Sequence, residues 1–86
     1  MSAEGTEVVL YGRDGCHLCD EAREAILGFD GIELREVDIE SDDRLFAALL
    51  ERIPVVELDG VVVSELVFDR DAFLSAMRGE AESRRR

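Results

Sequence analysis

The stretch of sequence that decides the fold is VVLYGRDGCHLC, residues 8–19. Its first four residues form an apolar run that a glycine and polar residues interrupt, which predicts a buried strand followed by a loop. After this loop, apolar residues recur at helical spacing from Leu18 to Phe29, with charged residues between them. The stretch therefore predicts a strand-loop-helix unit in which Cys16 and Cys19 lie at the start of the helix.

A second strand and a second helix follow this unit. Apolar residues from Ile32 to Ile39 indicate a strand whose alternation slips by one residue near its middle. Ser41 and the two aspartates after it can cap a helix, which Pro54 ends because proline cannot continue it. The apolar face of this helix comprises Leu45, Phe46, Leu49, Leu50 and Ile53. The first β-α-β unit should form a parallel pair of strands with a right-handed crossover.

The last third of the chain predicts a hairpin and a third helix. Residues 55–58 and 61–64 are short apolar runs joined by Asp-Gly, the pair that favours a two-residue type I′ turn. Either Asp69 or Asp71 can then cap a helix that Gly79 ends. The element order is therefore β-α-β-α-β-β-α, an α/β fold with a four-stranded mixed sheet and helices on both faces.

Length and composition restrict the classes of function. The 86 residues suffice for one domain, which we assign to residues 1–79, and residues 80–86 are expected to form a mobile tail. A formal net charge of −11 would repel nucleic acid and anionic membrane surfaces, so neither is an expected partner. No apolar run could span a bilayer, and the first residues lack the pattern of a secretory signal. We therefore expect a soluble, cytoplasmic monomer.

The CxxC pair carries the predicted chemistry. A cysteine at a helix start lies near unpaired backbone N–H groups and the positive end of the helix dipole, which favour the thiolate. We therefore expect the pKa of Cys16 to lie below the ordinary value of about 8.5. Cys19, one helical turn further on, is the expected resolving thiol. Arg13 and His17 can add positive charge near Cys16, whereas neighbouring acidic residues act in the opposite direction.

Residues 8–19 resemble the opening of a glutaredoxin, and RIPV, residues 52–55, resembles the proline turn of that family. The resemblance covers about residues 7–78 and is closest to short bacterial glutaredoxin-like proteins. It implies a thioredoxin/glutaredoxin-like fold and thiol-disulfide oxidoreductase activity in cell redox homeostasis. It also implies a redox-active disulfide between Cys16, the nucleophile, and Cys19, the resolving residue.

The resemblance assigns roles to residues outside the CxxC pair. Arg13 matches the basic residue three positions before the first cysteine, and Pro54 matches the cis-proline that faces the cysteines. Ile53 would then offer its backbone N–H and C=O to an extended substrate strand. Where glutathione-binding members carry a Gly-Gly pair followed by aspartates, residues 64–68 read SELVF. The usual glutathione-binding residues are therefore absent.

The expected substrate is a protein disulfide or a small-molecule disulfide. Either glutathione or a thioredoxin-type reductase would supply the electrons. Disulfide exchange needs no bound cofactor and no metal, so we expect neither.

Other classes of protein also carry a CxxC pair. A copper chaperone places it after the first strand, and soft thiolates suit Cu(I), but its β-α-β-β-α-β order differs. A structural zinc site needs four ligands, and Cys16, Cys19 and His17 supply three. A non-catalytic interaction domain is a further alternative. For single side chains, His17 either tunes the thiolate or is an exposed spectator, and Arg13 either steers a carboxylate or pairs with Asp14.

Overall fold

The computed structural model describes residues 6–79, and the predicted order of strands and helices is present in them. The strands are β1 (Thr6–Gly12), β2 (Ile32–Asp38), β3 (Val55–Leu58) and β4 (Val61–Glu65). The helices are α1 (His17–Leu27), α2 (Asp43–Leu49) and α3 (Arg70–Met77), with a 3-10 turn over Ile39–Ser41 before α2. The predicted mobile tail, residues 80–86, lies outside the described residues.

The four strands form one mixed sheet in the order β2-β1-β3-β4. β1 runs parallel to β2, as the β-α-β unit predicts, and β3 is antiparallel to both β1 and β4. The register places Gly12 opposite Asp38, Tyr11 opposite Val55, and Val55 opposite Glu65. One end of the sheet therefore contains the last residues of β1, β2 and β4 and the first residue of β3. We call it the Gly12 end of the sheet.

Local sequence signals set several of these boundaries. Asp59 and Gly60 have φ values of 51° and 84°, the two positive values that a type I′ turn requires. The Asp42 carboxylate accepts hydrogen bonds from the first turn of α2, and the Asp69 carboxylate accepts one from the first turn of α3. The predicted hairpin and the predicted cap of α3 are therefore confirmed.

The main core lies between one face of the sheet and helices α1 and α3. Its buried members are Val8, Leu10, Ala22, Ile26, Val56, Leu58 and Phe73. The fully buried Phe73 ring has its centroid 4.9 Å from that of Phe29 and 5.3 Å from that of Phe68. Burial of one such side chain stabilises the fold by roughly 1.5–3 kcal/mol. This packing fixes α1, and with it the CxxC pair, against β1.

The segment that contains the 3-10 turn and α2 covers the opposite face of the sheet. Val9 and Val55 point to this face and are buried, as is Ile39 in the 3-10 turn. Because α1 and α3 both lie on the other face, neither packs beside α2, and the apolar side chains of α2 are at most half-buried. The predicted arrangement with helices on both faces is thus confirmed. Within residues 6–79, no helix has the length and apolar character needed to cross a bilayer.

Helix α2 is shorter than the sequence predicted. It ends at Leu49 rather than continuing to Pro54. The backbone N–H groups of Arg52 and Ile53 both donate to the Leu49 carbonyl, at 2.7 and 3.1 Å, and close the helix with a turn. A residue that precedes proline also disfavours the helical conformation, so Ile53 cannot continue the helix.

Helix α1 buries the predicted apolar face except at Leu18. Ala22 and Ile26 are buried and Phe29 packs against the core, as predicted, whereas Leu18 is 41 % exposed. The inward positions are taken by Cys19, Ala22 and Ile26, which recur at three and four residues and are buried. The buried sulfur of Cys19, rather than the Leu18 side chain, therefore begins the core-facing stripe.

Candidate functional site

Cys16 caps helix α1, and its environment differs from that of Cys19. The backbone of Cys16 is extended, with φ −95° and ψ 105°, and its Sγ accepts a 3.1 Å hydrogen bond from the Cys19 N–H. The two residues form a disulfide across a Cα–Cα distance of 5.2 Å, which suits that bond. Cys16 is half-buried, whereas Cys19 is only 4 % exposed. An incoming sulfur therefore reaches Cys16 more easily than Cys19.

The start of α1 gives the Cys16 sulfur a positive environment. The first-turn N–H groups and the helix dipole favour negative charge there by about 0.3–1 kcal/mol. Asp20 lies in the same turn and acts in the opposite direction, but its carboxylate is bound by Arg23 at 2.9 Å. The lowered pKa of Cys16 stays a prediction, because both cysteines are oxidised in this structure.

Gly12 lies against the buried sulfur. A Cβ at this position would be 2.9 Å from Sγ and 3.1 Å from Cβ of Cys19, closer than such atoms can approach without a shift. The sequence pattern shows Gly12 only as the end of an apolar run and does not indicate this contact. A glycine at a strand end is the available signal, because it often marks the close approach of another group.

The proline turn lies at the same end of the sheet as the CxxC pair. The Ile53–Pro54 peptide bond is cis, as the resemblance implies, and Pro54 is buried. Because Val55 pairs with Tyr11, Pro54 lies beside the point where β1 enters the loop to Cys16. One part of the expectation is wrong: the N–H of Ile53 donates to the Leu49 carbonyl at 3.1 Å and is not free for a substrate.

Arg13 connects the loop before Cys16 with the segment over the opposite face. Its Nη2 lies 2.8 Å from Oε2 of Glu40, and its guanidinium lies 5.9 Å from the centroid of the Phe46 ring. The alternative of a pair with Asp14 is therefore wrong, because Glu40 binds Arg13 instead. Sequence reasoning missed Glu40, which lies 27 positions away along the chain.

His17 points away from the disulfide along the surface of α1. Its Nε2 lies 2.9 Å from Oε2 of Glu21, one helical turn further on, and its side chain is 85 % exposed. This placement favours the alternative of an exposed residue over that of a group directed at the Cys16 sulfur.

An ion pair between Arg52 and Glu65 spans the proline turn, and sequence reasoning missed it. Arg52 precedes the turn, and Glu65 is the residue of β4 that pairs with Val55. The hydrogen bond between the two side chains lowers the pKa of Glu65 and raises that of Arg52. The ion pair therefore favours the charged forms of both side chains.

The loop between β4 and α3, residues 66–69, is fixed by backbone and side-chain hydrogen bonds. The buried Ser64 hydroxyl donates to the Val67 carbonyl at 3.2 Å and accepts from the Asp69 N–H at 2.9 Å. The Leu66 N–H is within 3.0 Å of the carbonyl oxygens of both Arg52 and Pro54. The hydroxyl of Ser64 is therefore used within the loop and is not directed at a substrate.

Leu66 has an unusual backbone conformation within this loop. Its φ of 67° lies in the left-handed region, which costs a residue with a Cβ roughly 1–2 kcal/mol. The Leu66 side chain is 49 % exposed and that of Val67 is 67 % exposed. Sequence reasoning noted the missing glycines here but not the apolar surface that replaces them.

A surface cleft of about 410 Å³ adjoins the disulfide on the β2 side. Its wall includes the loop before Cys16, Cys19 itself, the first turns of α1 and the end of β2. Arg23 bridges this wall by binding Glu36 of β2 at 3.1 Å as well as Asp20. The part of the chain that the structure describes contains no group of three residues that could hold a metal ion. The β-α-β-β-α-β order of copper chaperones is also absent from residues 6–79.

Comparison with known families and structures agrees with this geometry. A family model described as Glutaredoxin-like domain (DUF836) matches residues 7–78. A solution NMR structure of a Nitrosomonas europaea protein has a TM-score of 0.75 at 25 % identity and covers 88 % of this chain and 95 % of its own. An X-ray structure of a structural-genomics target from X. campestris has a TM-score of 0.72 at 32 % identity, with coverages of 84 % and 96 %.

A third solved structure carries a functional name. The solution structure of glutaredoxin from Brucella melitensis matches with a TM-score of 0.55 at 25 % identity, covering 96 % of this chain and 91 % of its own. No curated protein shows a significant match. The predicted resemblance to glutaredoxin-like proteins and the thioredoxin-like fold are thereby confirmed.

Proposed function

This chain belongs to the glutaredoxin-like domain family (DUF836), and we propose that it is a thiol-disulfide oxidoreductase that reduces disulfides through Cys16 and Cys19. One observation carries the proposal. The half-buried Cys16 caps a helix, and its shielded partner Cys19 lies at disulfide distance behind it. This arrangement separates an accessible nucleophile from a protected resolving thiol.

The reduced protein would transfer two electrons in two exchange steps. The Cys16 thiolate attacks one sulfur of the substrate disulfide, forms a mixed disulfide with it and releases the other sulfur as a thiolate. The Cys19 thiol loses its proton and attacks the Cys16 sulfur, which forms the intramolecular disulfide and releases the second substrate thiolate. The two released thiolates take up two protons, so one substrate disulfide becomes two thiols while Cys16 and Cys19 are oxidised.

The observed disulfide corresponds to the oxidised product of this cycle. Its return to the dithiol needs two electrons from an external thiol, such as two molecules of glutathione, or from a thioredoxin-type reductase. A reducing compartment such as the cytoplasm would supply this reductant.

The proline turn would align the substrate next to Cys16. The Ile53 carbonyl has no hydrogen-bond donor among residues 6–79, and it could accept a bond from the backbone of an extended substrate. Pro54 would form the wall opposite the disulfide. Arg13, bound to Glu40 and Phe46, would hold the loop before Cys16 rather than contact the substrate.

The test compares wild-type protein with Cys16→Ser and Cys19→Ser. We expect wild type to reduce hydroxyethyl disulfide or insulin and to reach a redox equilibrium with glutathione buffers. Cys16→Ser should lose all activity, because the nucleophile is absent. A wild-type protein that reduces neither disulfide and binds Cu(I) tightly through both cysteines would contradict the proposal.

A further inference from the structure

The substrate class of the proposed oxidoreductase can be inferred from the charges around its disulfide, and this inference rests on the proposed function. Arginines near the CxxC pair already bind carboxylates of the same chain. The pairs are Arg13 with Glu40, Arg52 with Glu65, and Arg23 with both Asp20 and Glu36. The site therefore presents these cations in a neutralised form.

Neutralised arginines disfavour anionic thiols. Glutathione carries two carboxylates, and proteins recognise carboxylates mainly through arginine or lysine side chains. A glutathione carboxylate at Arg52 would either replace Glu65 or share the guanidinium with it, as Asp20 and Glu36 share Arg23. In both cases the Glu65 carboxylate lies next to the bound anion and repels it, which disfavours binding.

The cleft beside Cys19 suits a cation instead. The ionisable residues in its wall are Arg13, Asp14, Asp20, Arg23, Glu36 and Asp38. Carboxylates are in the majority there, and both arginines are bound. The formal net charge of −11 on the chain adds a long-range attraction for positively charged partners.

Leu66 adds an apolar contact at the same end of the sheet. Its N–H is hydrogen-bonded to the carbonyls of Arg52 and Pro54, which holds the residue beside the proline turn in its left-handed conformation. The exposed Leu66 and Val67 side chains therefore form an apolar rim where glycines would leave only backbone. Such a rim suits a peptide side chain better than a charged small molecule.

We propose that the site selects peptide disulfides flanked by basic and apolar side chains over anionic disulfides such as oxidised glutathione, with Glu65 and Leu66 as specificity-determining residues. Glu65 holds Arg52 neutralised, and Leu66 contacts an apolar side chain of the bound peptide. The basic side chains of the peptide lie along the acidic cleft.

The test measures kcat/KM for matched substrates with dithiothreitol as the reductant. Two peptides carry the same internal disulfide and the same neighbouring leucine, but one is flanked by arginines and the other by glutamates. Wild type should reduce the arginine peptide at least about tenfold more efficiently than the glutamate peptide or oxidised glutathione. This preference should diminish as salt is raised, because ions screen exposed charges.

Variants assign the preference to particular residues. Glu65→Gln should raise kcat/KM for the glutamate peptide about threefold or more. The matched control is Glu33→Gln, which removes the same charge from an exposed residue of β2 opposite Glu7, at the other end of the sheet. Leu66→Gly should lower kcat/KM for both peptides by a larger factor than it lowers kcat/KM for hydroxyethyl disulfide, which has no side chain to contact Leu66.

Three outcomes would overturn the inference while leaving the oxidoreductase function intact. The first is equal kcat/KM for the arginine and glutamate peptides. The second is an equal effect of Glu33→Gln and Glu65→Gln, which would assign the preference to net charge alone. The third is more efficient reduction of oxidised glutathione than of the arginine peptide. Failure to reduce any disulfide, hydroxyethyl disulfide included, would instead refute the proposed function.

Discussion

Two loops at the Gly12 end of the sheet each contain a residue with a left-handed backbone, and the residue differs. In the loop between β1 and α1 it is Gly15, with φ 78°, directly before Cys16, the proposed nucleophile. In the loop between β4 and α3 it is Leu66, with φ 67°. Glycine adopts such a conformation without steric cost, whereas leucine does not. The first loop is thus relaxed next to the Cys16 sulfur, and the second presents an apolar side chain at a conformational cost.

We infer from this difference that the two loops have different roles. The β1-α1 loop and the start of α1 hold the two sulfurs that the proposed exchange needs, and they also form part of the wall of the acidic cleft. The β4-α3 loop contains no reactive group, but it connects Leu66 with the proline turn through two backbone hydrogen bonds. Loss of a sulfur from the first loop should therefore stop exchange, whereas a change in the second should alter which substrate enters without stopping exchange.

The largest effect should come from Cys19→Ser. Without the resolving thiol, the mixed disulfide between Cys16 and a substrate peptide cannot be released internally and should accumulate. Mass spectrometry of the reduced protein after mixing with two peptides joined by a disulfide, without further reductant, should show the added mass of one peptide, because the other peptide leaves as a free thiol. Leu66→Gly is the control in the other loop, and it should release the peptide as wild type does. Accumulation of the adduct in Leu66→Gly as well would contradict the proposed difference in role between the two loops.

Ser64→Ala should have the next largest effect. The Ser64 hydroxyl donates to the Val67 carbonyl and accepts from the Asp69 N–H, and each hydrogen bond lost from this part-buried loop costs about 0.5–1.5 kcal/mol. Urea unfolding should show the corresponding loss of free energy of unfolding. Ser41→Ala removes the exposed hydroxyl that donates to the Asp38 carbonyl, where water can replace the lost bond. If the two variants lose equal stability, the β4-α3 loop is not fixed by Ser64.

The sequence predicted one of these loops better than the other, and the reason is the range of the interactions. Cys16 and Cys19 are placed by the strand before them and the helix they begin, so a short stretch was sufficient. The environment of Arg13 depends on Glu40, 27 positions away, and that of Arg52 on Glu65, 13 positions away. Such contacts form only when strands align, and no local pattern encodes them.

Backbone hydrogen bonds limited the sequence predictions in the same way. The cis peptide before Pro54 agrees with the resemblance to glutaredoxins, but the use of the Ile53 N–H by Leu49 does not follow from any motif. That bond exists because α2 ends early and its last turn closes onto the proline segment. The position of a helix end depends on which acceptor each backbone N–H binds. Sequence patterns therefore locate helix ends only to within a few residues.

Substitution of the residue with the left-handed backbone should change the free energy of unfolding in opposite directions in the two loops. Gly15→Ala should lower the free energy of unfolding by about 1 kcal/mol, because a Cβ disfavours its φ although the space around it is open. Leu66→Gly should be neutral or stabilising by up to about 1 kcal/mol, because relief of strain offsets the added freedom of the unfolded chain. Urea midpoints at constant slope report both changes.

Two control variants test whether the left-handed conformation causes these changes in stability. Gly28→Ala introduces the same methyl group at φ −78°, where alanine is unstrained, and it should not destabilise the protein. Val67→Gly gives the unfolded chain the same freedom as Leu66→Gly without relieving a left-handed conformation, so it should be destabilising. If Leu66→Gly and Val67→Gly lose stability equally, the strain assigned to Leu66 is not present.

The smallest effect concerns the titration of Glu65, and it reports whether the pair that neutralises Arg52 persists in solution. The hydrogen bond from Arg52 lowers the pKa of Glu65 below its ordinary value of 4.5. A carboxyl group with a lowered pKa in the folded state adds stability above its unfolded pKa, and this stability is lost as the pH falls through the folded value. NMR titration of the Glu65 carboxyl carbon should therefore give a midpoint below 4.5 in wild type and a higher one in Arg52→Gln. Because both side chains are exposed, added salt should move the wild-type midpoint toward the ordinary value. Equal midpoints in the two proteins would show that Arg52 is not held by Glu65, and the arginine beside the proline turn would then be available to an anionic thiol.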